Sequence, residues 1–236
     1  MSAGYASGHT IPDHSHDWDQ LIYASRGVMT VHTPDGSWVV PPQRAVWVPG
    51  GVTHCIETSG AVAMRSLYLV PGLARAGPKR CAVVSVAPLL RELILHAVRL
   101  RVLDRGVPAH RRLVGVILDQ IATLPAMPLQ LPLPSDRRAL GVARMLQQDP
   151  SDSRSLGTLA RGAGASKRTL ERLFVRETDL SFAHWRQQMR LLHAVRLLAE
   201  GRPVTAVALD VGYESPSAFI AMFKAALGCT PGRYFA

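Results

Sequence analysis

The sequence predicts an α+β protein with a small N-terminal β-barrel, connecting helices and an all-α C-terminal domain that contains two helix-turn-helix units. Three observations predict this fold class. Short apolar runs bounded by Gly, Pro or Asp-Gly fill the first third of the chain, as is typical of short β-strands. Two helical patterns follow. A proline-rich stretch then separates them from a segment in which helix caps and turn glycines recur.

The β-strands are expected between His14 and about Val70, as runs such as VMTVHT and RAVWV. The sequence Pro-Asp-Gly-Ser at 34–37 predicts a hairpin, since Asp-Gly accepts the backbone angles of a tight turn. The later run CAVVSV is expected to add a last strand, so the first domain is placed at 1–86. Residues 1–10 are small and polar and are expected to be disordered.

Two amphipathic helices, at 88–104 and 109–124, are expected to form a connector over 87–124. The first has its apolar stripe at Leu89, Leu93, Ala97 and Leu100, widened by Leu90 and Ile94. Such faces must be buried on the barrel, on each other or on a second subunit. The arginines of this region are interpreted as a solvated face. The interdomain linker is placed at 125–134, where four prolines exclude a helix.

The C-terminal domain is placed at 135–236 and is expected to begin with a helix at 136–148. Its first helix-turn-helix unit is predicted from two serine N-caps, Ser155 and Ser166, with two glycines in the turn between the helices. The second helix of this unit has an apolar face at i, i+3, i+4 spacing, formed by Leu170, Leu173 and Phe174.

A second unit follows the same plan. Gly212 permits its turn, Ser215 and Pro216 begin its second helix, and Gly228 ends that helix. Between the two units, 185–200 contains no helix breaker. A helix of about 16 residues spans about 24 Å, so the second helices of the two units are expected to enter major grooves about 34 Å apart.

The outer face of the second helix in the first unit is polar and mostly basic, with Lys167, Arg168, Glu171 and Arg172. Arginine can donate two hydrogen bonds to one guanine edge, and a helix fits the major groove. The charge agrees, because 135–236 carries 15 Lys and Arg against 9 Asp and Glu, and the whole chain has a net charge of +10. One such unit can be an ordinary helical hairpin, but two in tandem favour binding of double-stranded DNA.

The segment VGYESPSAFIAMFKAALGCTPGRYF, residues 211–235, resembles the C-terminal signature of the AraC/XylS family of bacterial transcription regulators. The resemblance implies base-facing residues at Arg168, Glu171 and Arg172 in the first unit and at Pro216, Ser217, Ile220 and Ala221 in the second. Lys167, Ser215 and Lys224 complete the expected DNA-binding set. Because the second set has few long polar side chains, backbone contacts and DNA shape are expected to dominate there. The resemblance also implies a homodimer formed by the connector helices and, for an activator, contact with RNA polymerase.

A histidine pattern in the first domain resembles the two motifs of the cupin barrel. It consists of His14-x-His16 with Gln20 and Gly27, followed by Pro49-Gly50-Gly51-x-x-His54. Alternate residues of a strand point to the same side, so His14 and His16 are expected to face one interior point that His54 reaches from a paired strand. Gln20 stands where that family usually has Glu. Trp18 and Tyr23 flank the motif and are expected at the mouth of the pocket.

Three interpretations of this pattern stay open. In the first, His14, His16 and His54 bind one divalent transition metal of unassigned identity, with Gln20 as a weak neutral ligand. In the second, the same four residues line a pocket for an organic effector. In the third, they are remnants of a barrel without a ligand.

The function classes narrow accordingly. We favour a DNA-binding transcription regulator that a small molecule or metal controls. The whole-chain pattern resembles a subgroup of AraC-type regulators that often control neighbouring exporter genes. A metal-dependent cupin enzyme fused to a DNA-binding domain is the alternative, although no second acid or base accompanies the histidines, and an architectural DNA binder is a third hypothesis. No catalytic residue is predicted. Three cysteines without a close pair indicate neither a disulfide framework nor a thiolate zinc site. No apolar run reaches the roughly 18 residues of a membrane span, and a cytoplasmic protein without a membrane partner is expected.

Overall fold

The computed structural model describes residues 1–74, 78–122 and 129–234. The chain divides into two compact units. The first unit comprises Met1–Pro34 and Trp38–Gln130, and the second comprises Asp35–Ser37 and Leu131–Ala236. The two helices of the expected connector therefore belong to the first unit. Residues 125–128 of the expected linker lie outside the described residues.

The described residues form ten strands arranged in two five-stranded sheets. In chain order the strands are β1 (Ser2–Tyr5), β2 (Thr10–His14), β3 (Asp19–Ala24), β4 (Val28–Thr33), β5 (Gly36–Val40), β6 (Arg44–Val48), β7 (His54–Ser59), β8 (Val62–Leu69), β9 (Ala82–Ser85) and β10 (Gln130–Pro132). The first sheet has the order β1-β8-β3-β6-β9, and the second has the order β10-β5-β4-β7-β2. The predicted α+β class with an N-terminal cupin-like β-domain is confirmed, and β4 and β5 are neighbours as the Asp-Gly turn predicts.

Two helices, α1 (Pro88–Leu100) and α2 (Pro108–Ala122), cover one face of the first sheet. β3 lies between β6 and β8, and both of its faces are buried. Because side chains alternate along a strand, Leu21 and Tyr23 face the helices while Gln20 and Ile22 face the other way. The resulting apolar cluster includes Leu21, Tyr23, Trp47, Leu69, Leu90, Ile94, Ala97, Ile117 and Ile121.

The apolar stripe of α1 is rotated relative to the prediction. Its buried residues are Leu90, Ile94, Ala97 and Val98, whereas Leu89 is 56% exposed and Leu100 is 39% exposed. The inner faces of the connector helices are thus buried within the chain. The helix also ends at Leu100 rather than at 104, because Arg101 adopts a positive φ of 62° that a right-handed helix does not allow.

The expectation that residues 1–10 are disordered is wrong. β1 pairs with β8 over Ser2–Tyr5, and β2 pairs with β7. The N-terminal ammonium of Met1 donates a hydrogen bond to the carbonyl of Ser66 at 2.6 Å. Backbone pairing at a sheet edge orders this segment. Its small polar side chains do not reveal this pairing in the sequence.

A short strand interrupts the stretch interpreted as a linker. β10 is the edge strand beside β5, and the backbone N–H of Val39 donates to the carbonyl of Leu129 at 3.0 Å. Gly36 is required for this pairing, since a Cβ at that position would lie 2.6 Å from the carbonyl oxygen of Leu131. Residues 130–132 therefore form an edge strand of the second sheet, although the sequence predicts a linker there.

The second unit is helical. Its helices are α3 (Arg137–Gln148), α4 (Leu156–Gly162), α5 (Lys167–Thr178), α6 (Phe182–Ala199), α7 (Val204–Asp210), α8 (Pro216–Leu227) and α9 (Pro231–Tyr234). The predicted caps are confirmed for two of them, because the hydroxyls of Ser155 and Ser166 accept from the backbone N–H groups of Thr158 and Thr169. Ser215 occupies the cap position of α8 without a side-chain hydrogen bond, and Gly228 ends that helix in the left-handed conformation.

α6 connects the two helix-turn-helix pairs, α4–α5 and α7–α8. It begins at Phe182, three residues before the predicted start, so its 18 residues span about 27 Å. The guanidinium of Arg190 on this helix donates to the carbonyls of Pro150, Asp152 and Gly212 at 3.0–3.1 Å. One side chain therefore joins the segment before α4 to the turn between α7 and α8. None of the helices in the described ranges is long and apolar enough to cross a membrane.

Candidate functional site

Three histidines of the first unit converge at the place the sequence predicts. His14 is the last residue of β2, and it lies directly opposite His54, the first residue of β7. His16 lies two residues beyond the end of β2, in the connection to β3, rather than within a strand as expected. The ring centroids of His14 and His54 are 4.3 Å apart, and those of His16 and His54 are 5.3 Å apart.

The turn at 49–51 holds His16 in position. The backbone N–H of Gly51 donates to the carbonyl of His16 at 2.8 Å, and that of Gly50 donates to the Asp19 carboxylate at 3.0 Å. A Cβ at Gly50 would overlap the carbonyl oxygen of Asp17. The glycines of the second predicted motif thus allow the turn to approach the segment that carries His16.

Each histidine uses its Nδ1 atom for a backbone hydrogen bond. Nδ1 of His14 lies 2.8 Å from the carbonyl of Pro12, Nδ1 of His16 lies 2.8 Å from that of Trp18, and Nδ1 of His54 lies 2.9 Å from that of Val52. A carbonyl oxygen only accepts, so Nδ1 carries the proton in each neutral ring. The lone pairs at the three Nε2 atoms remain for a ligand. Metal-binding histidines usually have this arrangement, in which the ring nitrogen that does not bind the metal donates to a backbone carbonyl.

His54 is the histidine whose surroundings best suit a ligand. Its side chain is fully buried, and within the described part of the chain its Nε2 has no hydrogen-bond partner. Burial lowers the pKa of His54 below its ordinary value, and the neighbouring His14 and His16 lower it further. A neutral imidazole is the form that binds a metal. One ring nitrogen from each of His14, His16 and His54 lies within 4.8 Å of the others, the one such cluster among the residues described.

Gln20 joins this cluster from β3 of the first sheet. Its side chain is 1% exposed, and its Oε1 lies 3.0 Å from Nε2 of His16. With the proton of His16 on Nδ1, these two atoms are both acceptors, so they repel each other unless the amide is rotated or a cation binds both. Two ligands at about 2.1 Å from one metal lie about 3.0–3.4 Å apart. The distance from His16 to Gln20 therefore suits a shared metal, and the four residues fit such an ion.

The two aromatic residues expected at the pocket mouth differ in position. Trp18 is 46% exposed and lies beside the cluster, whereas Tyr23 is 1% exposed and packs beneath α1 and α2 on the opposite face of β3. The expectation for Tyr23 is thus wrong, because residues 20 and 23 of one strand point to opposite faces. Tyr68 was not predicted. It lies opposite Gln20 on β8, and its ring centroid is 5.3 Å from that of His16.

In the second unit, the structure places the expected DNA-binding residues on the outer faces of α5 and α8. Lys167, Arg168, Glu171 and Arg172 are exposed on α5, while Leu170, Leu173 and Phe174 are buried beneath them. On and before α8, Ser215, Ser217, Ala221 and Lys224 are exposed, and Pro216 and Ile220 are partly buried. The outer face of α5 thus offers three cations and one carboxylate, whereas that of α8 offers one lysine.

Comparison with known proteins agrees with this architecture. A model of the AraC-like ligand binding domain matches residues 2–118, and a helix-turn-helix domain model matches residues 159–236. The HTH-type transcriptional regulator NimR of Escherichia coli is 40% identical over 227 residues, which cover 96% of this chain and 83% of NimR. The chain belongs to the AraC family of transcriptional regulators. Like its relatives, this AraC-family regulator combines a DNA-binding helix-turn-helix domain with an N-terminal ligand-binding domain.

Some other known proteins match a smaller part of the chain. The HTH-type transcriptional regulator RipA of Corynebacterium glutamicum is 38% identical over 103 residues, which cover 44% of this chain and 31% of RipA. The solved DNA-binding domain of AdpA, in complex with a target DNA, is 30% identical over 42% of this chain and 89% of that chain, with a TM-score of 0.40.

Proposed function

We propose that this regulator binds promoter DNA through α5 and α8 and that a metal or a small molecule at the histidine cluster controls this binding. The observation that carries the proposal is the common orientation of the three histidines. Each Nδ1 is bonded to a backbone carbonyl, which leaves Nε2 as the ligand atom, and one ring nitrogen of each histidine lies within 4.8 Å of the others.

The proposed metal ligands are His14, His16 and His54, with Gln20 as a neutral oxygen ligand. A bound divalent ion would supply a positive charge that the lone pairs of the imidazole nitrogens and the amide oxygen coordinate. The ligands come from β2, β3, β7 and the connection after β2, so binding would hold these elements in one arrangement. An organic effector with a hydrogen-bond donor for the orphaned Nε2 of His54 is the alternative occupant.

For DNA, we propose that α5 reads bases directly while α8 mainly positions the protein. Arg168 and Arg172 are exposed one helical turn apart, and each can donate two bonds to a guanine edge. On α8, the small residues Ser217 and Ala221 allow close approach to the sugar-phosphate backbone, and Lys224 supplies a phosphate contact. Direct specificity should therefore be concentrated in the half-site that α5 contacts.

We also propose a homodimer that uses the outer side of α1. Leu89, Leu93 and Leu100 lie on one helix face, and two of them are more than a third exposed. The family resemblance supports two further proposals, RNA polymerase as a partner if the regulator is an activator, and a neighbouring exporter gene as a target.

The decisive test of the metal proposal is the metal content of untagged protein purified without chelator. Mass spectrometry should find about one transition metal per chain in the native protein and in His96→Ala, a control that removes an exposed histidine of α1. The His14→Ala/His16→Ala double variant should lose the metal. Metal-free native protein with unchanged operator affinity on metal addition would refute metal control and leave an organic effector.

A further inference from the structure

A cavity outside the histidine cluster lies between β8 and the helices α1 and α2. Its volume is about 580 Å³, which is within the range of small-molecule sites in proteins. Every residue that lines it belongs to the first unit. Much of its lining comes from the side of the sheet that the helices cover, and it also includes Tyr68, which lies beside His16.

The walls of this cavity are apolar. β8 contributes Leu67 and Leu69, α1 contributes Ala97 and Val98, and α2 contributes Val114, Ile117 and Leu118. Apart from Val114, these side chains belong to or adjoin the cluster that fixes the helices on the sheet. A ligand body of aliphatic or aromatic character could therefore bury its surface against a preformed wall.

The mouth of the cavity is basic. Arg101, Arg105 and Arg111 line it, and Asp104 is the single acidic residue among its described lining. The Asp104 carboxylate accepts from the backbone N–H of Gly106 at 2.7 Å. None of the three arginines forms an ion pair with another residue in the described ranges. Three cations without carboxylate partners surround the opening.

His110 adds a hydrogen-bond donor to the mouth. The backbone N–H of Asp104 donates to Nδ1 of His110 at 3.1 Å. Nδ1 must therefore hold a lone pair, and the ring carries its proton on Nε2. Together with the guanidinium groups, this N–H can donate to the oxygens of an anion.

Gly115 keeps one wall of the cavity open. It lies in the interior of α2 and lines the cavity, and a Cβ built on it would meet no atom within 4 Å. Glycine inside a helix is less stable than alanine, so the fold of α2 does not explain it. Its effect is to leave space beside Val114 and Leu118 that a large side chain such as tryptophan would fill.

We propose that this cavity binds an organic anion with an apolar body, such as a carboxylate on an aliphatic or aromatic skeleton. The body lies against β8 and α2, and the acidic group meets Arg101, Arg105, Arg111 and His110. The site adjoins the histidine cluster without including it. Trp18 and Tyr68 both line the cavity, the carbonyl of Trp18 accepts from His16, and the ring of Tyr68 lies 5.3 Å from that of His16. Binding does not depend on the proposed metal. Only its effect on transcription rests on the proposed function.

The test uses full-length protein and the fluorescent anion 1-anilinonaphthalene-8-sulfonate, with decanoate and the neutral decanol as competitors. One probe molecule should bind per chain, and decanoate should displace it at about tenfold lower concentration than decanol, because charged hydrogen bonds are lost with the alcohol. Gly115→Trp should abolish binding by filling the cavity. Gly115→Ala and Val116→Trp, which alters an exposed position of α2, should bind as the native chain does.

Two results would overturn the anion site. One is equal binding of the probe by Gly115→Trp and the native chain, and the other is equal displacement by decanol and decanoate. Near-ultraviolet circular dichroism must be native-like in every variant, so that the probe does not report a loosened core. If Gly115→Trp instead changes the oligomeric state in sedimentation while the native chain binds no probe, the cavity is a subunit contact. Operator binding by Gly115→Trp tests the proposed DNA function independently, since failure of the anion site leaves that binding in place.

Discussion

Arg190 provides the sharpest test of how the second unit is held together. Its guanidinium donates to Pro150 and Asp152, which precede α4, and to Gly212 in the turn before α8. The ring of Tyr213 lies 5.8 Å from the same group. Replacing Arg190 with Ala removes three hydrogen bonds that one guanidinium group donates to two different segments of the chain.

The magnitude follows from those bonds. A hydrogen bond from a charged donor contributes about 1.5–3 kcal/mol when its partners cannot find water. Arg190 is only partly buried, so the carbonyls regain some hydration, and we expect a loss of about 2–4 kcal/mol in the free energy of unfolding. For a unit of roughly 100 residues this lowers the melting temperature by about 10 °C or more. Arg190→Lys keeps the charge but not the fork of donors, and should lose about half as much.

Differential scanning calorimetry of the full chain measures this effect, since the two units can give separate transitions. Arg144→Ala serves as the control, because Arg144 is exposed on α3 of the same unit. The variant should also bind operator DNA more weakly, as the two helix-turn-helix pairs lose their common support. A transition within about 1 °C of the control would show that the three bonds do not stabilise the unit.

Three further changes test separate parts of the molecule. Arg172→Ala should remove about 1–3 kcal/mol of discrimination at one base pair, which competition between operator variants measures. Unchanged selectivity would contradict the proposal that α5 reads bases through Arg172. If the proposed metal is bound, His54→Ala should lose it and, in fluorescence anisotropy, should bind operator equally with and without added metal; a native response would exclude His54 from the site. The hydrogen bond from the Asp136 backbone, helped by the Arg176 side chain, holds the pKa of Glu177 at about 2, below its usual 4.5. The ionised carboxylate therefore stabilises the fold above pH 4.5, and this stabilisation is lost as the pH falls towards 2. Protection from hydrogen exchange at the start of α3 should fall over this pH range in the native chain but not in Glu177→Gln. Parallel pH profiles for the two proteins would argue against this role of Glu177.

Local signals predicted the second unit well. A serine followed by an apolar helical pattern marks a helix start wherever it occurs, and Ser155 and Ser166 both act as N-caps. Gly228 ends α8 because a positive φ is cheap only for glycine. These interactions join residues three or four positions apart, so the sequence displays them directly.

The histidine cluster was predictable in part. The cupin-like motifs identified His14, His16, Gln20 and His54, and the structure brings all four together. The position of His16 beyond the end of β2 was not predictable, because it depends on the turn at 49–51. The proximity of Tyr68 depends on the register of β8 against β3, which no local pattern specifies.

Other features depend on contacts between residues far apart in sequence. Arg190 looks like one more polar residue of an amphipathic helix, yet its acceptors are backbone carbonyls 22 to 40 residues away. The walls of the cavity at α2 likewise come from three elements. In the sequence, the arginines at its mouth cannot be distinguished from those of an ordinary solvent-exposed helix face. Hydrophobic periodicity indicates that a face is buried, but not which neighbour covers it or how completely.

The strand β10 determines where this regulator can be divided into modules. A fragment that ends before residue 129 would leave β5 as an unpaired edge, with the N–H of Val39 lacking its acceptor, and open edges favour self-association. The same residues also serve the helical unit, since the indole N–H of Trp185 donates to the carbonyl of Pro132 at 2.8 Å. A chimera that exchanges sensor and DNA-binding domains between relatives must therefore take Gly36 and β10 from the same parent. The exchangeable unit is larger than a cut at the proline-rich stretch implies.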